Sequence, residues 1–140
     1  MQIRPANLGD LDFICGELPE FCARHNAWHL YPGHVLARKI IADTIRHHYF
    51  MVATSDAGMP LGFICALQGT HYLNPNLRTL TELLWWSKGD PTVALALLDA
   101  LVEYGRRHVD YIAFSTVEAG DKALWRRGFT FGEKVWELRL

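Results

Sequence analysis

Cysteine is scarce: Cys15, Cys22 and Cys65 are the only three in 140 residues, an odd number with apolar neighbours and no C-x-x-C spacing. That excludes a disulfide framework and points to a reducing compartment. Long apolar runs are missing too, since no stretch approaches the roughly 18 residues of a membrane span. The opening MQIRPANLGDLDF carries Arg4 and Asp10 where a secretory leader keeps an apolar core. Charge of one sign is absent: Lys and Arg number 14 against 15 Asp and Glu, for a net charge of −1. With a pI of about 6.6, there is no bulk electrostatic reason to bind nucleic acid or an anionic membrane. There is no G-x-S-x-G or P-loop pattern, no internal repeat, no low-complexity tract and no linker. These absences predict one soluble, cytoplasmic domain spanning residues 1–140.

What is present is core material. Half of the residues are hydrophobic and 12% are aromatic, enough for a chain of this length to fold unaided. Residues 2–5 read as a short strand, and Asn7 caps a helix over 8–18 with Leu11, Ile14, Cys15 and Leu18 on one face, ended or kinked by Pro19. A second helix is expected over 35–48 from Leu36, Ile40, Ile41 and Ile45. Residues 50–54 and 61–67 form a hairpin around the turn SDAGMP, and 79–86 form a third long strand that follows the loop HYLNPNLR. The clearest helix covers 91–108, with Pro91 at its first position and a stripe of Val93, Leu97, Leu101 and Tyr104. A short strand at 111–115, a short helix at 120–127 ended by Gly128, and a strand at 134–140 complete the order. This β-α-α-β-β-β-α-β-α-β order predicts an α/β (α+β) sheet covered by helices on both faces.

The segment WWSKGDPTVALALLDALVEYGRR reads as a strand running through a glycine turn into a helix, a junction that commonly receives an anion on its unpaired N–H groups. Asp90 stands in that turn. As N-cap it would accept from the N–H of Thr92 or Val93, and Pro91 has no N–H to offer. A carboxylate about 4 Å from a phosphate charge costs about 1 kcal/mol in water and about 4 kcal/mol at an effective dielectric near 20. Without a ligand, Asp-Pro-Thr is simply a good helix start.

Glu82 is the candidate base. Alternation would put it on one strand face with Leu80, Leu84 and Trp86, where apolar neighbours raise a carboxyl pKa toward neutrality. Its plainer roles are reaching solvent or pairing with Arg78. Cys22, His25 and His29 have the i, i+3, i+7 spacing of one helix side, but Asn26 and Tyr-Pro-Gly weaken that helix, so no metal site is expected. Trp85 and Trp86 read as core rather than as a base-stacking platform.

The element order, LTELLWWS as fourth strand, the turn into ALALLDAL, and ALWRRGF before the last strand resemble the GCN5-related N-acetyltransferases over nearly the whole chain, and among them a subgroup often met in phage genomes. The resemblance implies a mixed, mostly antiparallel sheet of six to seven strands. It implies acetyl-CoA as cosubstrate and an amine, on a small molecule or a protein, as acceptor. In that family a Q/R-x-x-G-x-G/A loop holds the pyrophosphate. It falls here on Gly89, Asp90, Pro91, Thr92, Val93 and Ala94, of which only Ala94 obeys the pattern. Leu84, Trp85 and Trp86 would align the pantetheine by backbone contact, with Glu82 as general base. The family's acid is a tyrosine in Tyr-x-x-Gly-Phe; Trp125 stands there, cannot deliver a proton, and is expected to pack. Glu118 stands where an Asn is usual. Trp28 and Tyr31, with His71 and Tyr72, would form the acceptor wall. A homodimer is compatible with the resemblance, and a phage gene would place the protein in the host cytoplasm. The alternative is an inactive protein of the same fold that works through protein contacts, as a virion component or a host-protein inhibitor.

Overall fold

The computed structural model describes residues 1–115 and 121–130. Five strands, β1 (Gln2–Pro5), β2 (Tyr49–Thr54), β3 (Pro60–Thr70), β4 (Arg78–Ser87) and β5 (Tyr111–Ala113), form one sheet in sequence order. The first three neighbouring pairs are antiparallel, and β4 with β5 is parallel. Among the described residues the sheet thus has five strands, against the six to seven expected; the strand predicted at 134–140 lies outside them. Helices cover both faces. α1 (Leu11–Arg24) and α2 (His34–His47) pack on one side around Phe63, Cys65 and Trp86. On the other side α3 (Pro91–His108) packs on Ile64, Ala66 and Leu80, and short α4 (Asp121–Trp125) adds Leu124 against Leu98 and Val102.

The helix starts follow from local chemistry. Asn7 accepts from the N–H of Gly9 at 2.8 Å while Asp10 accepts from the N–H of Asn7 at 2.9 Å, a reciprocal cap on a short 3-10 turn that leads into α1. Arg4 bonds both Asp10 oxygens at 2.8 and 2.7 Å and holds that carboxyl below the usual carboxylate range. α1 does not end at Pro19 but runs on to Arg24. An interior proline costs about 3 kcal/mol, yet beyond it Cys22 is buried and Phe21 meets Trp86 edge-on at 5.9 Å. The buried Cys22 and the partly buried Phe21 together return apolar burial of about the same size, which offsets the lost backbone bond.

α3 has the predicted bounds. Its Leu97, Leu98 and Leu101 are fully buried, so tertiary packing rather than propensity holds it. Gly62 of β3 lies against both β4 and the start of α3, and an added Cβ there would lie 2.5 Å from the carbonyl oxygen of Trp86 and 3.1 Å from Val93. The first of these is backbone and cannot swing aside. Gly62→Ala is therefore expected to destabilise the fold by about 2–3 kcal/mol, read as a lowered urea midpoint at unchanged slope; an unchanged midpoint would show that β4 and the start of α3 can yield there.

Candidate active site

Strand β4 changes phase halfway. Ala66 is registered against Glu82 and the next residue of β3, Cys65, against Leu84, so Leu83 is an extra, bulged residue. This overturns the single face drawn from alternation: Leu80 and Trp85 sit in the core shared with α3, whereas Leu84 and Trp86 sit in the core shared with α1 and α2. A bulge adds one residue to a period of two and so reverses every side chain beyond it. Glu82 stands at the changeover.

The same point is where β4 leaves β5. Their parallel ladder covers Thr79–Thr81 against Tyr111–Ala113 and stops. Just past it, the backbone N–H of Ser115 donates toward the Glu82 carboxylate. Burial raises the pKa of Glu82 from the ordinary 4.5 to about 7, with the Ser115 N–H pulling the other way. Arg78 does not pair with it. That guanidinium bonds Asp110 at 3.1 and 3.2 Å, the Arg78 backbone N–H donates to the same carboxylate at 2.9 Å, and the Asp110 N–H donates to the Arg78 carbonyl at 2.9 Å. A half-buried carboxyl with no ion-pair partner among the described residues is suited to exchanging protons near neutral pH.

The turn after β4 is built as a helix start. Gly89 has φ +85°, the left-handed conformation that favours glycine. The Asp90 carboxylate accepts from the N–H of Thr92 at 2.8 Å, Pro91 takes the first helical position, and the Ser87 hydroxyl donates to the Asp90 carbonyl at 3.0 Å. The Trp85 indole N–H donates to the Ala94 carbonyl at 2.9 Å and ties strand to helix. Of the amides that would face a phosphate, Pro91 lacks one and Thr92 has given its own to Asp90. The turn fits a pyrophosphate poorly, whereas the β4 edge beyond Thr81, with no β5 ladder bonds, can still offer backbone groups to an extended chain.

The Trp86 indole donates to Glu17 at 3.0 Å, Glu17 also pairs with Lys88 at 2.8 Å, and the Arg24 guanidinium lies 4.7 Å above the Trp86 ring. Glu17, Lys88 and Ser115 escaped the sequence reading. Only the rule that a buried indole N–H finds an acceptor hinted at the first of them.

The proposed wall residues form two separate pairs. Trp28 stacks on Tyr31 at 5.3 Å, and Tyr31 packs on the α1 and α2 core. His71 stacks on Tyr72 at 4.9 Å and meets Tyr111 edge-on at the start of β5. The helix imagined for Cys22, His25 and His29 breaks at Asn26, which has φ 51°. Among the described residues no group of three or more His, Cys, Asp or Glu could hold a metal ion. No helix among them is long and apolar enough to cross a membrane. Trp125 does not pack: it is 79% exposed, because α4 turns Leu124 inward instead. Glu118 lies outside the described residues.

Neither a protein-family model nor a curated protein sequence matches the chain. Solved structures do. A probable acetyltransferase superposes with TM-score 0.81 at 20% identity, over 100% of this chain and 98% of that one. A ribosomal-protein-alanine N-acetyltransferase from Brucella melitensis gives 0.75 at 16% identity, over 100% of both chains. A predicted acetyltransferase with acetyl-CoA from Clostridium acetobutylicum gives 0.78 at 13% identity, over 99% and 95%. Identities this low establish shared architecture alone: the chain has the fold of these acetyltransferases.

Proposed function

We propose that the chain is an acetyl-CoA-dependent N-acetyltransferase in which Glu82 takes the proton from an acceptor amine that attacks the thioester directly. The observation that carries this reading is the position of Glu82: half-buried, raised to a pKa of about 7, at the bulge where β4 parts from β5. The thioester chain would lie along Leu84, Trp85 and Trp86, with the phosphates toward residues 89–94. Most of the rate would come from orientation, with the base adding about 10²–10⁴-fold. Trp28, Tyr31, His71 and Tyr72 would bound the acceptor side, and the chain would belong to the phage-type subgroup that its sequence resembles. Isothermal titration with acetyl-CoA tests the reading: a saturable heat at one site per chain is expected, and no binding at millimolar ligand would sink it.

One observation favours a second reading. The Asp90 carboxylate already holds the Thr92 amide, as expected of a protein that kept the fold, lost cofactor binding and acts through protein contacts. Leu36 and Ile40, one turn apart on α2, are 49% and 48% exposed and would belong to its contact surface.

A further inference from the structure

Beyond Thr81 the outer edge of β4 carries no ladder among the described residues, so Leu84, Trp85 and Trp86 are paired on the β3 side alone. A strand edge that presents its N–H and C=O groups to a ligand then needs another source of rigidity. Two neighbouring indoles supply it.

Successive side chains of a strand point to opposite faces, so Trp85 enters the core shared with α3 and Trp86 the core shared with α1 and α2. The Trp85 N–H donates to the Ala94 carbonyl of α3 at 2.9 Å, and the Trp86 N–H donates to the Glu17 carboxylate of α1 at 3.0 Å. The end of β4 is thus tied to a helix on each face.

The tie to α1 depends on one side chain. The other oxygen of Glu17 holds the Lys88 ammonium at 2.8 Å, one residue before Gly89 with its left-handed φ of +85°. A single carboxylate therefore anchors the strand on both sides of Ser87, at the last positions before the chain turns. The Glu17 side chain is 13% exposed and Trp86 is buried, whereas the Lys88 side chain is 58% exposed. Shielding makes the indole bond the stronger of the two contacts and the ion pair the weaker.

We propose that Glu17 is a positioning residue for the cofactor-binding edge: through the Trp86 indole it holds Leu84, Trp85 and Trp86 in the arrangement that an acetyl-CoA chain needs. This role rests on the acetyltransferase reading. Without the tie the edge samples other arrangements, and apparent affinity falls in proportion to the share of time it is correctly placed.

Titration calorimetry of the full chain with acetyl-CoA, below the melting temperature of every variant, tests this. Glu17→Leu should raise the Kd roughly tenfold, as for an edge correctly placed about one tenth of the time. Glu17→Gln, whose amide oxygen can still accept from the indole, should stay within about twofold of the native chain. Trp86→Phe removes the donor and leaves Glu17 with Lys88; it should reproduce the loss, and adding Glu17→Leu should not deepen it. Native affinity in both Glu17→Leu and Trp86→Phe, whatever their melting temperatures, would overturn the proposal while leaving the enzyme reading intact. So would a loss in Glu17→Gln as large as that in Glu17→Leu, because it would trace the effect to the charge facing Lys88. No binding by the native chain would remove the acetyltransferase reading itself, and the role of Glu17 with it.

Discussion

Replacing Glu82 by glutamine is expected to lower kcat/KM for amine acetylation by about 10²–10⁴-fold, the usual contribution of a positioned base. The shape of the carboxyl is kept and only its ability to take a proton is lost. In the native protein kcat/KM should rise with pH through a limb near 7, the value to which burial raises this carboxyl; the glutamine variant should lack that limb. Stability should move the other way. Between the ordinary 4.5 and about 7 the folded state binds more protons at Glu82 than the unfolded chain does, so native stability falls as pH rises through that window. Above it the carboxylate stays buried at a cost of up to about 3 kcal/mol, less for the part of the side chain that water reaches. Glu82→Gln should therefore be as stable as the native protein at low pH and more stable above pH 7. A thermal melting series across pH, set beside thiol release from acetyl-CoA, reads both effects. A variant equally active at every pH would remove Glu82 from the reaction.

The pair Asp90→Gly and Thr92→Gly should tighten acetyl-CoA binding by roughly fivefold to a thousandfold. Those limits correspond to removing the about 1–4 kcal/mol of repulsion between the Asp90 carboxylate and a phosphate charge. The substitutions also release the Thr92 N–H that Asp90 now holds at 2.8 Å. The cost is local: a glycine N-cap loses a few tenths of a kcal/mol and glycine in the first turn about 1 kcal/mol, while Pro91 still fixes the helix start. Titration calorimetry on the native and double-variant chains separates the two readings of the protein. If the native chain binds and the variant binds more tightly, the enzyme reading stands with a weakened turn. Binding only in the variant favours the protein that has lost its cofactor. Equal affinity in both would mean that the Asp90 carboxylate does not face the phosphates.

Much of this fold was legible because its signals are local. Pro91 at N1, Asp90 as cap and the stripe from Val93 through Leu101 define α3 to the residue, and the turn SDAGMP defines the hairpin of β2 and β3. Asn7 was legible as a cap for the same reason. Pro19 misled because its penalty is a local quantity, whereas the burial of Cys22 and the contact of Phe21 with Trp86 that offset it join residues far apart in the chain. Trp125 misled similarly. Its size suggested a buried role, but the direction it faces depends on which side of α4 meets α3, and that side belongs to Leu124.

The sequence by itself determined the order of the described elements, the helix starts and the choice of Glu82 as a candidate base, since each follows from propensity, capping or spacing within a few residues. Only the tertiary structure decided what surrounds that carboxyl. The bulge at Leu83 depends on how β4 pairs with β3, the Ser115 amide reaches Glu82 only after β4 and β5 part, and Arg78 is claimed by Asp110 from the far end of α3. Register, bulges and ion-pair partners are relations between distant segments, which no window of neighbouring residues contains.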